Sequence, residues 1–409
     1  MSTQSFMREK LKTFLPNTAK SGDAPLLITI ITLVSFGLLM LYSASVDYSV
    51  GILGEAPTYM LKRQMLWLAL GIVTASALSH LDYHYWRKFS VFAMLGTIIS
   101  LVAVLLTHEL RLGAVRTFYN GSIQPSELAK LVIVIYLTVW LYAKRDQLHS
   151  IELGLIPLAF ILGIIGGLIY LQPDISATAT IFILGGVLFF LAGADLKQIV
   201  ILILLATFVA WLIVQINVTG QERVEYYWLG LKDPTYASYH VRRALEAIVN
   251  GGIFGLGIGQ SVTKLTGLPV PPTDSIFAVV TEEFGIVGAS ALIILYAILI
   301  WRGIVIARRA PDMLGSLLAT GLVFWIGIEA LINMTVMVGL LPFAGNALPF
   351  ISAGGSSLVT SLAAIGILYN ISRQGGENAQ FNNDRRAFNA TANLRRRNGR
   401  RRNTRSRRS

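Results

Sequence analysis

Residues 267–301 read GLPVPPTDSIFAVVTEEFGIVGASALIILYAILIW. It passes from a proline-rich polar turn into an apolar run long enough to span a bilayer, since about 20 residues cross a hydrocarbon core of about 30 Å. Asp274 stands at the mouth of that run, and Glu282 and Glu283 lie inside it. Ionisable groups at such depth are costly in lipid unless they handle a substrate, a proton or a partner charge. On a helix Asp274, Ala278 and Thr281 share one face, and Glu282 sits about 80° round from Asp274.

The rest of the chain repeats the pattern. Of the 409 residues 54% are hydrophobic and 14% charged, against about 25% charged in soluble domains, and mean hydropathy is +0.62. These values exclude a soluble globular protein and specify an all-α polytopic integral membrane protein. Apolar runs predict ten transmembrane helices near 26–46, 64–82, 90–107, 126–143, 152–170, 175–193, 198–218, 275–301, 315–340 and 350–371. With ten spans both termini share a side. Arg8, Lys10, Lys12, Lys20, Arg87, Lys88, Lys144, Arg145, Lys197, Arg302, Arg308 and Arg309 fall on that side, which the positive-inside rule makes cytoplasmic. Lys62 and Arg63 are the exception.

Residues 1–25 then read as a cytoplasmic N-terminal arm, too polar before the first apolar run for a signal peptide, and 26–372 as a ten-span membrane domain. Residues 373–409, rich in Asn, Arg and Gly, read as a disordered Arg-rich cytoplasmic tail. Much of the net charge of +12 sits in that tail, LRRRNGRRRNTRSRRS. Its expected partner is anionic lipid, not nucleic acid. The chain has no cysteine, which removes disulfides and thiol chemistry, and its histidines at 80, 84, 108, 149 and 240 lack metal-ligand spacing.

On the opposite, extracytoplasmic side lies the large loop 219–274, longer than ordinary helix connections and for that reason read as functional. Within it HVRRALEAIV has the spacing of a short amphipathic helix, lying either along the membrane interface or as a lid on the bundle. NGGIFGLGIGQSVTKLTGLP is glycine-rich, but it follows no strand, so it is no dinucleotide fingerprint; its glycines allow close backbone approach.

Several residues carry candidate chemistry. In RLGAVRTFYNGSIQPSELAK, Pro125 suits a first helical turn and Glu127 complements the helix dipole. Glu127 and Lys130 are spaced i,i+3, which allows a simple intrahelical pair. Alternatively Arg116 and Lys130 supply fixed positive charge to a phosphate-bearing ligand, with Glu127 orienting one of them. Asp274 and Thr273 are placed to cap a helix or to act on a substrate, and Glu282 and Glu283 to pair between helices or to line a polar cavity. Gly354, Gly355, Ser356 and Ser357 permit close helix packing or substrate contact, and Asp174 can cap the sixth span.

Taken together, QPSELAK at 124–130, LQPD at 171–174, GGIFGLGIGQSVTKLTGLP with PTDSIFAVVTEEFGIVGA at 251–289, and GLLPFAGNALPFISAGGSS with NISR at 339–373 resemble the SEDS (FtsW/RodA) family of peptidoglycan glycosyltransferases. The resemblance covers essentially the whole membrane region and implies the ten-span SEDS fold. It implies polymerisation of lipid II into glycan strands with release of undecaprenyl pyrophosphate. Asp274, in the family's TD motif, would be the catalytic general base. Arg116 and Lys130, with or without a divalent cation (Mg or Mn), would stabilise the pyrophosphate, and Glu127 would position them. Thr273, Ser356 and Ser357 would join the substrate site. Two positions depart from the family pattern: Thr117 replaces a tryptophan, and Pro272 replaces the histidine before the TD pair. The resemblance also implies a class B penicillin-binding protein as partner, together with other divisome proteins. The N-terminal arm and basic tail favour the division branch over the elongation branch. A lipid II flippase and a non-catalytic divisome scaffold are the competing classes.

Overall fold

The structure is a computed structural model that describes residues 22–107, 124–216 and 218–375. The described residues are helical, without strands. The helices are α1 (Ala24–Gly51), α2 (Tyr59–His80), α3 (Trp86–Thr107), α4 (Pro125–Lys144), α5 (Ile156–Tyr170), α6 (Ile175–Leu191), α7 (Leu196–Ile216), α8 (Val218–Lys232), α9 (Tyr239–Gly251), α10 (Ile276–Arg309), α11 (Met313–Met337) and α12 (Gly355–Gly375). Among the described residues, eight helical segments are long and apolar enough to cross a membrane. They contain α1, α3, α4, α5, α7, α10, α11 and α12. The shorter α6, with 17 residues, is equally apolar, and α2 has 22 residues with Lys62 and Arg63 near its start. Most of the N-terminal arm, and the tail beyond residue 375, lie outside the described residues.

Local chemistry explains where the helices start. Asp23 caps α1, its Oδ1 accepting from the Leu26 amide at 2.9 Å, and Pro25 occupies the first turn. The same carboxylate accepts from Arg302 Nε at 3.1 Å, tying α1 to the far part of α10. Asp174 caps α6 and Asp312 caps α11, accepting from the amides of Ala177 at 3.1 Å and Gly315 at 2.8 Å. The most enclosed spans are α4, α11 and α12, whereas α7 buries little beyond Gln198 and Leu202.

Two regions differ from the sequence expectation. The span expected at 275–301 is a 34-residue helix broken at Gly285, where φ is 67° and ψ is −167°. The loop backbone enters that break. Leu256 and Gly257 amides donate to the carbonyls of Glu282 and Glu283 at 2.9 and 3.0 Å, and Ile286 and Val287 donate back to Gly252 and Ile253 at 3.0 and 3.2 Å. Gly255 faces this crossing at φ +82°, where an added Cβ would lie 2.2 Å from the Glu283 carbonyl oxygen. The 219–274 segment, in turn, holds most of α8 and all of α9. Helix α9 packs on α10 and α11 with Val241, Ala244 and Ala247 buried, as the lid reading of HVRRALEAIV expects.

Candidate functional site

Helices α4, α6, α10 and α12 all begin at one end of the bundle, and their N-termini converge on a cavity of about 700 Å3. Helix α4 contributes Glu127 and Lys130, with Gln124 just before it; α6 is preceded by Asp174, α10 by Thr273 and Asp274; and α12 contributes Ser356 and Ser357 from its first turn. Each N-terminus leaves backbone N–H groups without intrahelical partners and carries a partial positive charge. Four of them around one space make a site suited to carboxylates and phosphates.

The Asp274 segment is fixed by the loop that precedes α12. Its backbone carbonyl accepts from Asn333 Nδ2 at 2.9 Å, and the same amide donates to the carbonyl of Asn346 at 2.6 Å. Ser352 Oγ donates to the Thr273 carbonyl at 2.7 Å, and the Ala353 amide donates to the Pro272 carbonyl at 2.8 Å. Pro272, which supplies no imidazole, thus still serves as an acceptor. Gly345 leaves room for the acid: a Cβ there would sit 2.8 Å from Asp274 Oδ2. Ser275, not Asp274, occupies the N-cap position of α10.

Across the cavity, Lys130 Nζ donates to Glu127 Oε1 at 2.8 Å, so the intrahelical pair is present and also faces the cavity. Lys130 has a second carboxylate partner in Glu329 of α11. Lys130 and Glu329 are each 1% exposed. Among the described residues Glu127 Oε2 has no hydrogen-bond partner. Asp174 Oδ2 accepts from Gln124 Nε2 and Ser126 Oγ, both at 3.1 Å, and Ser356 Oγ accepts from the Gln124 amide at 3.1 Å. The α4 and α6 starts are thereby joined to α12.

Thr273, Asp274, Glu127, Lys130, Ser356 and Ser357 come together around this space. Arg116 lies outside the described residues, as does Thr117. Glu282 and Glu283 do not line the cavity: Glu282 accepts from Val262 and Thr263 amides, both at 3.2 Å, while Glu283 accepts from Ser43 Oγ at 2.5 Å and Lys264 Nζ at 3.0 Å. Sequence reasoning passed over Glu329, Asn333 and Asn346. The available signal for Glu329 was a lone acid in the apolar run GLVFWIGIEALINM at 321–334.

Among the described residues no group of three or more Asp, Glu, His or Cys side chains is placed to hold a metal ion. The described residues alone thus do not make a full coordination shell, whereas Mg²⁺ commonly takes one or two carboxylates and completes its shell with water and substrate phosphate. Glu127, which lines the cavity and keeps one buried oxygen, Oε2, without a hydrogen-bond partner, is the carboxylate that such a cation would use.

Fold and site together define a multi-pass helical membrane protein with a charged cavity at one end of the bundle. The chain matches the FtsW, RodA and SpoVE family of cell cycle proteins over residues 24–377, and it belongs to that family. It is 36% identical over 373 residues to stage V sporulation protein E of Bacillus subtilis, covering 87% of this chain and 99% of that protein. It is 34% identical over 354 residues to a protein of Geobacter sp. named probable peptidoglycan glycosyltransferase FtsW, covering 86% and 96%. Among solved structures, a chain from a study of the coordination of polymerization and crosslinking by a peptidoglycan synthase complex matches with a TM-score of 0.71 at 25% identity, covering 87% of this chain and 98% of that one. The rod shape determining protein RodA of Thermus thermophilus matches with a TM-score of 0.63 at 25% identity, over 86% and 97%.

Proposed function

We propose that this protein, a peptidoglycan glycosyltransferase by its family, polymerises lipid II in cell division, with Asp274 as the general base. The observation that carries this reading is the convergence of four helix N-termini, Asp274 and the Glu127–Lys130 pair on one cavity. The acceptor sugar 4-hydroxyl would give its proton to Asp274 as its oxygen attacks the anomeric carbon of the donor. The C–O bond to the pyrophosphate breaks in the same displacement, and undecaprenyl pyrophosphate leaves. Lys130 and the N–H groups at the start of α12 supply positive charge where the leaving group gains negative charge. Thr273, Ser356 and Ser357 offer hydroxyls for orienting the substrate. A divalent cation, if bound, would be held by Glu127 and would add Lewis-acid stabilisation of the pyrophosphate.

The division role rests on the relatives named FtsW; elongation is the alternative. On this proposal the protein lies in the bacterial inner membrane with ten spans, both termini cytoplasmic and the cavity extracytoplasmic. A class B penicillin-binding protein is the proposed partner, supported by the similarity to a chain from a complex that couples polymerization to crosslinking. The cavity is confined to one end of the bundle, which favours polymerisation over a flippase, whose polar path would cross the membrane.

The test is lipid II polymerisation by the purified protein with its cognate transpeptidase, comparing wild type with Asp274→Asn. Equal polymer from both would overturn the general-base assignment. No polymer from either, with lipid transport intact in vesicles, would favour the flippase.

A further inference from the structure

We propose that Glu329 is a positioning residue, anchoring the Lys130 ammonium from behind so that it faces the cavity, and that α11 is the template joining Lys130 to Asp274. This deepens the glycan-polymerase reading and rests on it. Glu127 and Lys130 line the cavity, whereas Glu329 lies behind them. A Glu127–Lys130 pair would already be neutral, so a second buried carboxylate adds desolvation cost without being needed for charge balance. What it adds is a second fixed point. With one acid on its own helix and another on α11, Lys130 Nζ stays in place when the cavity-side bond to Glu127 is exchanged for a phosphate oxygen.

The same face of α11 holds the other half of the site. Asn333 is four residues on from Glu329, hence on the same side of the helix. Its Nδ2 reaches the Asp274 and Asn346 carbonyls at 2.9 and 2.6 Å, while Asn346 Nδ2 donates back to the Glu329 carbonyl at 3.0 Å. A shift of α11 would therefore move the proposed base and the proposed phosphate-binding ammonium together.

The experiment is a double-mutant cycle on the full chain with its transpeptidase partner and lipid II, using wild type, Glu329→Gln, Lys130→Arg and the double variant. If Glu329 acts through Lys130, Glu329→Gln lowers kcat at least fivefold with KM within twofold of wild type. In the Lys130→Arg background the same change then costs less than twofold, because coupled residues are not additive. Additive losses, or a Glu329→Gln enzyme with wild-type kcat, would overturn the proposal. Amine labelling by a small anhydride, mapped by mass spectrometry, reads the same link without turnover: Lys130 labelling should rise at least threefold in Glu329→Gln, and unchanged labelling would also overturn it. Glu329→Asp, which keeps the charge, is assayed beside it and should restore most of kcat; a Glu329→Asp enzyme as slow as Glu329→Gln would also overturn the proposal. A wild-type protein that makes no polymer, yet shows the labelling change, would count against the polymerase reading and leave the positioning of Lys130 supported.

Discussion

Glu282 and Glu127 are both buried carboxylates in helices that start at the cavity end of the bundle, at 0% and 7% exposure. Their surroundings divide them. Glu282 receives Ser261 Oγ, Thr263 Oγ1, Asn250 Nδ2 and the amides of Val262 and Thr263. Glu127 gives one oxygen to Lys130 and leaves the other without a partner beside a cavity. Burial and residue type are alike, so the difference lies in how far the protein itself satisfies the charge. A saturated carboxylate organises a loop, whereas one that keeps a buried, unmet acceptor beside a cavity has capacity left for a further donor.

The largest effect is expected at Asp274, on the ligand side of this contrast. Asp274→Asn removes a general base, a contribution of about 10²–10⁴-fold, so polymerisation should fall by at least about 100-fold. The melting temperature should hold, because the Asn333 contact uses the Asp274 backbone carbonyl, which the substitution keeps. A comparable fall in stability would make Asp274 a structural acid like Glu282.

Glu282→Ala should show the reverse pattern. It orphans several buried donors, each worth about 1–3 kcal/mol when left unsatisfied, and the loop should separate from the first part of α10. A loss of about 3 kcal/mol in thermal or denaturant unfolding is expected, with faster hydrogen exchange across 251–263. Wild-type stability in this variant would remove the distinction between the two glutamates.

Much of this contrast was legible in the sequence, but not its direction. The i,i+3 spacing of Glu127 and Lys130 announced their pairing, and the proline-rich turn announced Asp274. Glu282 and Glu283 read as acids for interhelical pairing or for a polar cavity, and Glu283 does reach Ser43 of α1; helical spacing shows that two residues share a helix, not which loop folds back on them. Their partners, at 250–264 and at Ser43, are set by the break at Gly285, which lets the loop backbone enter the helix. Glu329 was hidden for the same reason: its meeting with Lys130 spans 199 residues, and only packing of α4 on α11 brings them together. The start of α12 at residue 355 rather than 350 also follows from one local and one tertiary bond. The Leu348 amide donates to Ser352 Oγ at 2.8 Å, and Gln64 Oε1 accepts from the Gly354 amide at 3.3 Å, holding 348–354 as a loop.

A smaller effect is expected from Glu127→Gln. The amide keeps a hydrogen-bond acceptor for Lys130, and Glu329 still anchors it, so folding should be little changed. Loss of the charge beside the cavity should lower polymerisation by about tenfold, close to 1.4 kcal/mol. An enzyme with wild-type turnover would place Glu127 with Glu282, as a residue whose charge serves structure alone.

The smallest expected effect lies in the lid, where charge is avoided rather than used. His240 of α9 stacks on Phe343 with ring centroids 4.1 Å apart. Burial, with a further push from Arg223, holds its imidazole below the ordinary histidine value. A lid released from the bundle would bind a proton more readily than the docked one as pH falls through about 6.5, so docking is most stable above that value and weakens on acidification. Hydrogen exchange over 239–251, corrected for the intrinsic effect of pH, should show protection falling between pH 7.5 and 5.5. His240→Phe keeps an aromatic ring against Phe343 and removes the titration, so its protection should stay level across the same range. If both proteins lose protection alike, the acid sensitivity belongs to another group, and the lid's contact with the α11–α12 loop is indifferent to this histidine's charge.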